Sequence, residues 1–233
     1  MKGFNHFLTA LLPSSIESGR IKFTPGSIES SLKREDGQVI VQSILNTPSN
    51  KLNEEICIPH LSQLQKAYRT LDNPKVSFTY EQDIPSKLAL MGNGSRISLF
   101  LMDKDFVSWP SLTAEPEYSL SVELTLSSLE SMKTNYSLVD GELTNIKLSN
   151  SKLTFIVGNE EHENSAKTSM DIDVNDEYEM TIRSEFITAI LDTINSDSVV
   201  TLNASEHGLI KIVVDLDTED YKLSTKYFLV ASQ

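Results

Sequence analysis

NEEICIPHLSQLQKAYRTLDN, running from Asn53 to Asn73, occurs in this chain a second time in altered form. At Asn175 to Asn195 the chain reads NDEYEMTIRSEFITAILDTIN, and the two align without a gap. Asn53-Glu54-Glu55 lies over Asn175-Asp176-Glu177, Ile56 over Tyr178, Ile58 over Met180 and Ser62 over Ser184. Leu64 then lies over Phe186, Ala67 over Ala189, Tyr68 over Ile190 and Asn73 over Asn195. Each copy starts with a short alternating run, continues with helical spacing and is followed by a β-rich tail. A repeat of this length implies two related domains in tandem, and it constrains the fold more than any single motif does.

The 233 residues have room for two modest domains, each with its own core. Hydrophobic content of 39% and charged content of 23% are those of a globular protein. No apolar run approaches the ~20 residues of a membrane span. At the start of the chain, Phe4, Phe7, Leu8, Leu11 and Leu12 fall at helical spacing with no small-residue cleavage site after them. That pattern predicts an amphipathic helix ended by Pro13 rather than a signal peptide. The single Cys57 excludes an internal disulfide framework and fits a reducing cytoplasm.

The formal net charge of −13 argues against a generally nucleic-acid-binding surface, but the charge is regional. Between Gly158 and Glu179 there are eight acidic residues against Lys167 alone. His60 to Leu71, in contrast, carries Lys66 and Arg69 and no acid. An acidic protein with such a segment can still offer a basic surface.

Taken in order, the pattern predicts strands at Arg20–Phe23, Ser27–Lys33, Gln38–Leu45 and Glu55–Ile58, then a helix from Pro59 to about Leu71. Leu61, Leu64, Ala67, Tyr68 and Leu71 share one face of that helix. Strands at Val76–Tyr80, Lys87–Met91 and Arg96–Leu101 follow. Ser108 to Ser119, with two prolines and no periodicity, reads as a linker. The second half repeats the plan: a strand at Leu120–Leu124, a helix near Leu126–Tyr136 with Leu126, Leu129, Met132 and Tyr136 on one face, and strands at Leu138–Val139, Leu143–Ser149, Lys152–Val157 and Ser165–Ile172. The second repeat copy supplies a strand at Glu177–Ile182 and a helix at Ser184–Ile194, with strands at Val199–Asn203, Leu209–Leu216 and Lys222–Val230 after it. The fold class is α+β, with two tandem domains (1–107 and 120–233) joined by 108–119, each with two helices packed on antiparallel sheets.

Catalytic signatures are missing from this pattern. His6, His60, His162 and His207 have no metal-ligand spacing. Gly92-Asn93-Gly94-Ser95 sits between two strands and reads as a hairpin turn rather than a phosphate loop. Cys57 lies in an apolar strand without a neighbouring base and reads as a packing residue. No enzyme, metal site or cofactor is expected.

A duplicated domain with two helices per copy, an extended linker and no catalytic residues resembles the DNA sliding clamps. The similarity is greatest to the two-domain clamps of T-even-like bacteriophages and more distant, in architecture, to proliferating cell nuclear antigen. It rests on Thr9-Ala10-Leu11-Leu12 followed by Ile16-Glu17-Ser18-Gly19, on the helix within Ile58 to Asn73, and on the closing strand Lys226-Tyr227-Phe228-Leu229-Val230. The resemblance implies a ring of six domains, hence a homotrimer, around double-stranded DNA without regard to sequence. The implied partners are a DNA polymerase and a clamp loader, in the cytoplasm of an infected bacterial host. It implies a basic lumen, for which Lys2, Lys66, Arg69, Lys133 and Arg183 are the candidates. It also implies a partner-peptide pocket, with Trp109, Leu112, Leu209, Phe228 and Val230 as candidates. Ring closure would pair edge strands of adjacent chains, with Ser98–Leu101 and Leu148–Phe155 in the expected regions. The alternatives are a non-catalytic phage structural or interaction protein of duplicated β-rich domains, or a clamp-like recruitment platform for transcription.

Overall fold

The structure is a computed structural model that describes residues 1–12, 14–110, 115–159, 164–174 and 177–231. Two compact units make up the chain: Met1–Thr113 with Asp215–Lys226, and Ala114–Val214 with Tyr227–Gln233. Residues 215–226, which the sequence pattern assigns to the C-terminal domain, therefore cluster with the first unit.

In the first unit, helix α1 (Phe4–Ala10) precedes the strands β1 (Gly19–Thr24), β2 (Ser27–Lys33), β3 (Val39–Asn46) and β4 (Glu54–Ile58). These pair antiparallel in the order β4-β1-β2-β3. Alternate residues of β1 and β3 are buried, as a sheet covered on one face requires. Helix α2 (Leu61–Thr70) follows β4 and packs against α1. A three-stranded sheet comes next, β5 (Lys75–Glu81), β6 (Ile84–Gly92) and β7 (Ser95–Phe100), and then a 3-10 turn at Lys104–Phe106. Its tight turns, Gln82-Asp83 and Asn93-Gly94, have positive φ at both central residues, the geometry that matches the twist of a two-residue hairpin. The glycine-containing segment at 92–95 is thus a hairpin.

The core of this unit is aromatic. Phe4 stacks on Phe7 at 5.8 Å and meets Tyr68 of α2 edge-on at 5.0 Å, and all three are essentially buried. The Tyr68 hydroxyl donates to the Met1 carbonyl at 3.1 Å, so α2 fixes the start of α1. Burial pushes the Tyr68 phenol up to about 12.

The second unit runs β8 (Leu120–Leu124), α3 (Leu126–Leu138), β9 (Leu143–Ser149), β10 (Lys152–Gly158), β11 (Ser165–Asp171), β12 (Tyr178–Arg183) and α4 (Ser184–Leu191), then β13 (Ser198–Ala204). β14 (Leu209–Asp217) and β15 (Lys222–Val230) close the chain. Four strands pair in the order β11-β10-β9-β12, and β13 pairs with β8. Helix α3 lies against β10, β11 and α4, and a chain of hydroxyls ties these layers together. Tyr136 of α3 meets Thr144 of β9 at 2.6 Å, and Thr144 meets Ser184 of α4 at 2.9 Å. Where α3 ends, Gly141 and Gly158 abut. A Cβ on Gly141 would lie 2.4 Å from the Gly158 nitrogen, and one on Gly158, at φ +82°, would lie 2.2 Å from the Asn164 carbonyl oxygen.

The repeat appears as β4–α2 and β12–α4, and three expectations need correction. Leu138 is the last residue of α3 rather than a strand, because the hydrogen bond from the Val139 amide to the Asn135 carbonyl prolongs the helix. Leu126, the first residue of α3, is 45% exposed, whereas Leu129 and Met132 on the same helix are buried. Leu148–Phe155 is the β9–β10 hairpin, in which both strands are paired on both sides; the edge strands of that sheet are β11 and β12.

Candidate nucleic-acid interface

Helices α1 and α2 each bury one face and leave a polar one. On α2, Leu61, Leu64, Ala67 and Tyr68 are buried, while Gln63, Lys66, Arg69 and Thr70 are exposed. Residues three and four apart share a face, so Lys66 and Arg69 project from the same side of the helix. Arg69 reaches across to α1: its Nε donates to Asn5 Oδ1 at 3.2 Å and its Nη2 to Thr9 Oγ1 at 3.0 Å. Gln65 Nε2 donates to the same Thr9 oxygen at 3.1 Å, and the Thr9 hydroxyl donates to the Asn5 carbonyl at 2.9 Å. The guanidinium is therefore held over the α1–α2 junction, with further N–H donors left for an anion. No hydrogen bond or ion pair engages the Lys66 ammonium among the described residues, so it extends into solvent one turn away.

His6 lies beside this junction. Its Nδ1 pairs with the Tyr221 hydroxyl, and burial, then the charge of Arg69, hold its pKa below the usual imidazole value of 6.5. The folded state thus binds this proton less readily than the unfolded chain does. The stability that His6 contributes is present above pH 6.5 and is lost as the pH falls below it. We expect the unfolding temperature to fall more between about pH 7.5 and about pH 5.5 for the parent than for His6→Gln, read by calorimetry on both. An equal fall in the two proteins would show that His6 does not couple to stability.

The other lumen candidates are engaged by partners. Lys2 pairs with Asp220 at 2.6 Å, an exposed ion pair of small energetic weight. Lys133 of α3 donates to the Ile194 carbonyl at 2.8 Å, where it satisfies backbone beyond the end of α4. Arg183 sits at the β12–α4 junction with Glu185 3.5 Å away. Lys2, Lys66 and Arg69 belong to the first unit, and Lys133 and Arg183 to the second. In the gapless alignment Arg69 falls on Leu191 and Gln65 on Ile187, both of which are buried. Helix α4 therefore buries an apolar residue where α2 carries Arg69, and carries the exposed Thr188 where α2 carries Lys66.

The peptide-pocket candidates differ among themselves. Trp109, in the first unit, is half-buried, with the Arg20 guanidinium 5.9 Å from its ring centroid. Leu112 lies outside the described residues. In the second unit, a hydrogen bond from the Ala231 amide to the Gly208 carbonyl at 2.8 Å holds the start of β14 beside the end of β15. Leu209, half-buried, and Val230, 49% exposed, are placed there. Phe228 is 1% exposed: it is a core residue and offers no side-chain surface to a ligand.

Among the described residues no cluster of His, Cys, Asp or Glu could hold a metal ion, and no helix is long and apolar enough to cross a membrane. Cys57 is buried in β4, and burial raises its thiol pKa. His60 precedes α2 with its ring 3.0 Å from Glu17. Sequence reasoning missed Asn5, Thr9, Gln65 and His6. The i, i+4 spacing of Asn5 and Thr9 on the polar face of α1 was the available signal.

No protein-family profile matches the chain, and no curated protein matches it in sequence. Solved structures do. The chain is similar to PCNA of A. fulgidus, solved with the C-terminal region of FEN-1 bound, with a TM-score of 0.75 at 11% identity over 98% of this chain and 96% of that one. It is also similar to PCNA of Thermococcus kodakaraensis, with a TM-score of 0.69 at 13% identity over 99% and 96%. A chain of the PCNA2–PCNA3 complex of Sulfolobus tokodaii gives a TM-score of 0.72 at 10% identity over 98% and 95%. The fold is that of the sliding clamps, with two tandem α+β clamp domains.

Proposed function

We propose that this protein is a sliding clamp of the phage type that encircles duplex DNA as a homotrimer and tethers a replicative polymerase, acting without catalysis in the cytoplasm after a clamp loader places it on DNA. The observation that carries the reading is the acid-free exposed face of α2, with Lys66 and Arg69, on a clamp fold in a protein of net charge −13. Contacts from such a face to phosphate are independent of sequence, which permits sliding. In the proposed chain, clamp domains at 1–107 and 120–233 are joined by 108–119. Lys66 and Arg69 are the principal lumen residues. Lys2, Lys133 and Arg183 are secondary ones, which would have to exchange their present partners for phosphate.

Ring closure is proposed between β7 and β11, each a terminal strand of its sheet. Leu209 and Val230 are proposed to receive a partner's apolar anchor, while Trp109 and Leu112 enter on family resemblance. The FEN-1 segment bound to the A. fulgidus PCNA supports peptide docking on this fold.

The test is primer extension on a circular primed template with the cognate polymerase and loader. Addition of this protein should lengthen the products, and linearising the template should abolish the gain, because a topologically held ring runs off an open end. Unchanged product length on the circle would sink the reading.

A further inference from the structure

A second basic surface lies on the opposite side of the β11-β10-β9-β12 sheet from the helices. Leu153, Phe155 and Val157 of β10 are buried on the face that α3 covers. Lys152, Thr154 and Ile156 alternate onto the other face. The antiparallel register sets Lys147 opposite Thr154, Thr154 opposite Ser169, and Ile156 opposite Lys167. Three lysines from three adjacent strands thus surround an open concavity of about 440 Å³, to which Ser149, Asn150 and Thr154 add hydroxyl and amide donors.

These ammonium groups are weakly held. Lys147 is 3.7 Å from Glu179 Oε2, while the other Glu179 oxygen accepts from Asn145 Nδ2 at 2.8 Å. Lys152 is 3.8 Å from Asp171, whose side chain is 92% exposed. No ion pair engages Lys167 among the described residues. Exposed pairs at such distances contribute little and exchange readily.

We infer that this concavity docks a short acidic segment of a partner protein, two or three carboxylates of which replace Glu179 and Asp171 at the lysines. Its limited extent selects the ligand. The positive island is flanked by Asp171 and Glu179, so a long polyphosphate would meet repulsion beyond a few phosphates. The lining has no aromatic residue on which a base could stack. In the clamp reading this face points away from the duplex, because the helices that approach DNA lie on the other side of the sheet. Peptide docking here does not require DNA encirclement, and either can fail alone.

The test uses the full chain and a short fluorescent peptide of alternating Glu and Ser, read by anisotropy. The peptide should bind, its affinity should fall with added salt, and Lys147→Ala/Lys152→Ala/Lys167→Ala should weaken it by about 10-fold or more. Lys167→Glu alone should weaken it as well. In Lys147→Ala/Lys152→Ala, which leaves β11 untouched, oligomer mass, melting temperature and DNA retention should match the parent. Absence of peptide binding, equal binding by the variants, or displacement of the peptide by a single-stranded oligonucleotide at lower concentration would overturn the inference. Loss of DNA retention in Lys147→Ala/Lys152→Ala at parental oligomer mass would overturn it too, since the lysines would then belong to the DNA surface.

Discussion

Reversing two charges on α2 together, Lys66→Glu with Arg69→Glu, will shorten the residence of the protein on closed circular DNA by about 10-fold or more while its oligomer mass stays unchanged. Removing one phosphate-binding cation should lower the slope of log affinity against log salt by ~0.9, so the dependence on salt reads the number of phosphates engaged directly. Lys66 is exposed and its ammonium has no partner among the described residues, so its replacement disturbs nothing else in the fold. Arg69 differs, because without it Asn5 and Thr9 are deprived of a donor. The Asn5 carbonyl and Thr9 hydroxyl retain their mutual bond, and Gln65 still donates to Thr9, so the junction keeps most of its bonding. Lys66→Glu alone should therefore give a clean fraction of the effect, and Arg69→Gln should lose retention with little loss of stability. Parental retention and parental salt slope in the double variant would remove α2 from the DNA surface.

Replacing Tyr68 by alanine should destabilise the first unit by ~3–5 kcal/mol, the range for deleting a buried aromatic side chain. Tyr68 is 1% exposed, touches the Phe4 ring edge-on and bonds the Met1 carbonyl. Tyr68→Phe keeps the ring and loses only the hydroxyl, and it should cost about 1 kcal/mol. The difference between the two variants in denaturant or calorimetric unfolding separates packing from hydrogen bonding. A Tyr68→Ala cost within about 1 kcal/mol of Tyr68→Phe would mean that the α1–α2 aromatic cluster is not what holds the unit. The same substitution should loosen the start of α1, since the bond to Met1 is what α2 contributes there.

Much of the architecture was legible because periodicity is a local property. The apolar spacing of Leu61, Leu64, Ala67 and Tyr68 names the buried face of α2 without any knowledge of what covers it. Turn chemistry was equally local, as at Asn93-Gly94 and Asn150-Ser151, where both residues adopt positive φ. Boundaries were less secure. Leu138 reads as strand in isolation, yet helix α3 runs through it.

The site was legible only in part, and for a physical reason. That a lysine is basic is written in its residue type, whereas whether it is available depends on partners far along the chain. Lys2 finds Asp220, and Lys133 finds the Ile194 carbonyl. Nothing near either lysine in sequence announces those pairings. Phe228 and Val230 share the face of β15 that also exposes Lys226; Val230 is at the surface, but Phe228 is buried along with Tyr227 and Leu229 on either side of it. Period-two reasoning fails where a strand is covered on both faces.

Two of the terminal strands, β7 and β11, the ones proposed to close the ring, carry a consequence for mixtures. They are unlike one another, so a chain that joins through both joins head to tail, and each copy contributes one half of two different junctions. A variant with β7 blocked, such as Ile97→Pro, would still offer a sound β11 and would enter assemblies beside normal chains. Each such assembly would then contain a seam that cannot close. With half of the chains blocked, only about one in eight of the proposed trimers would be free of a defective copy. Such a subunit would be a dominant poison, harming function out of proportion to its abundance.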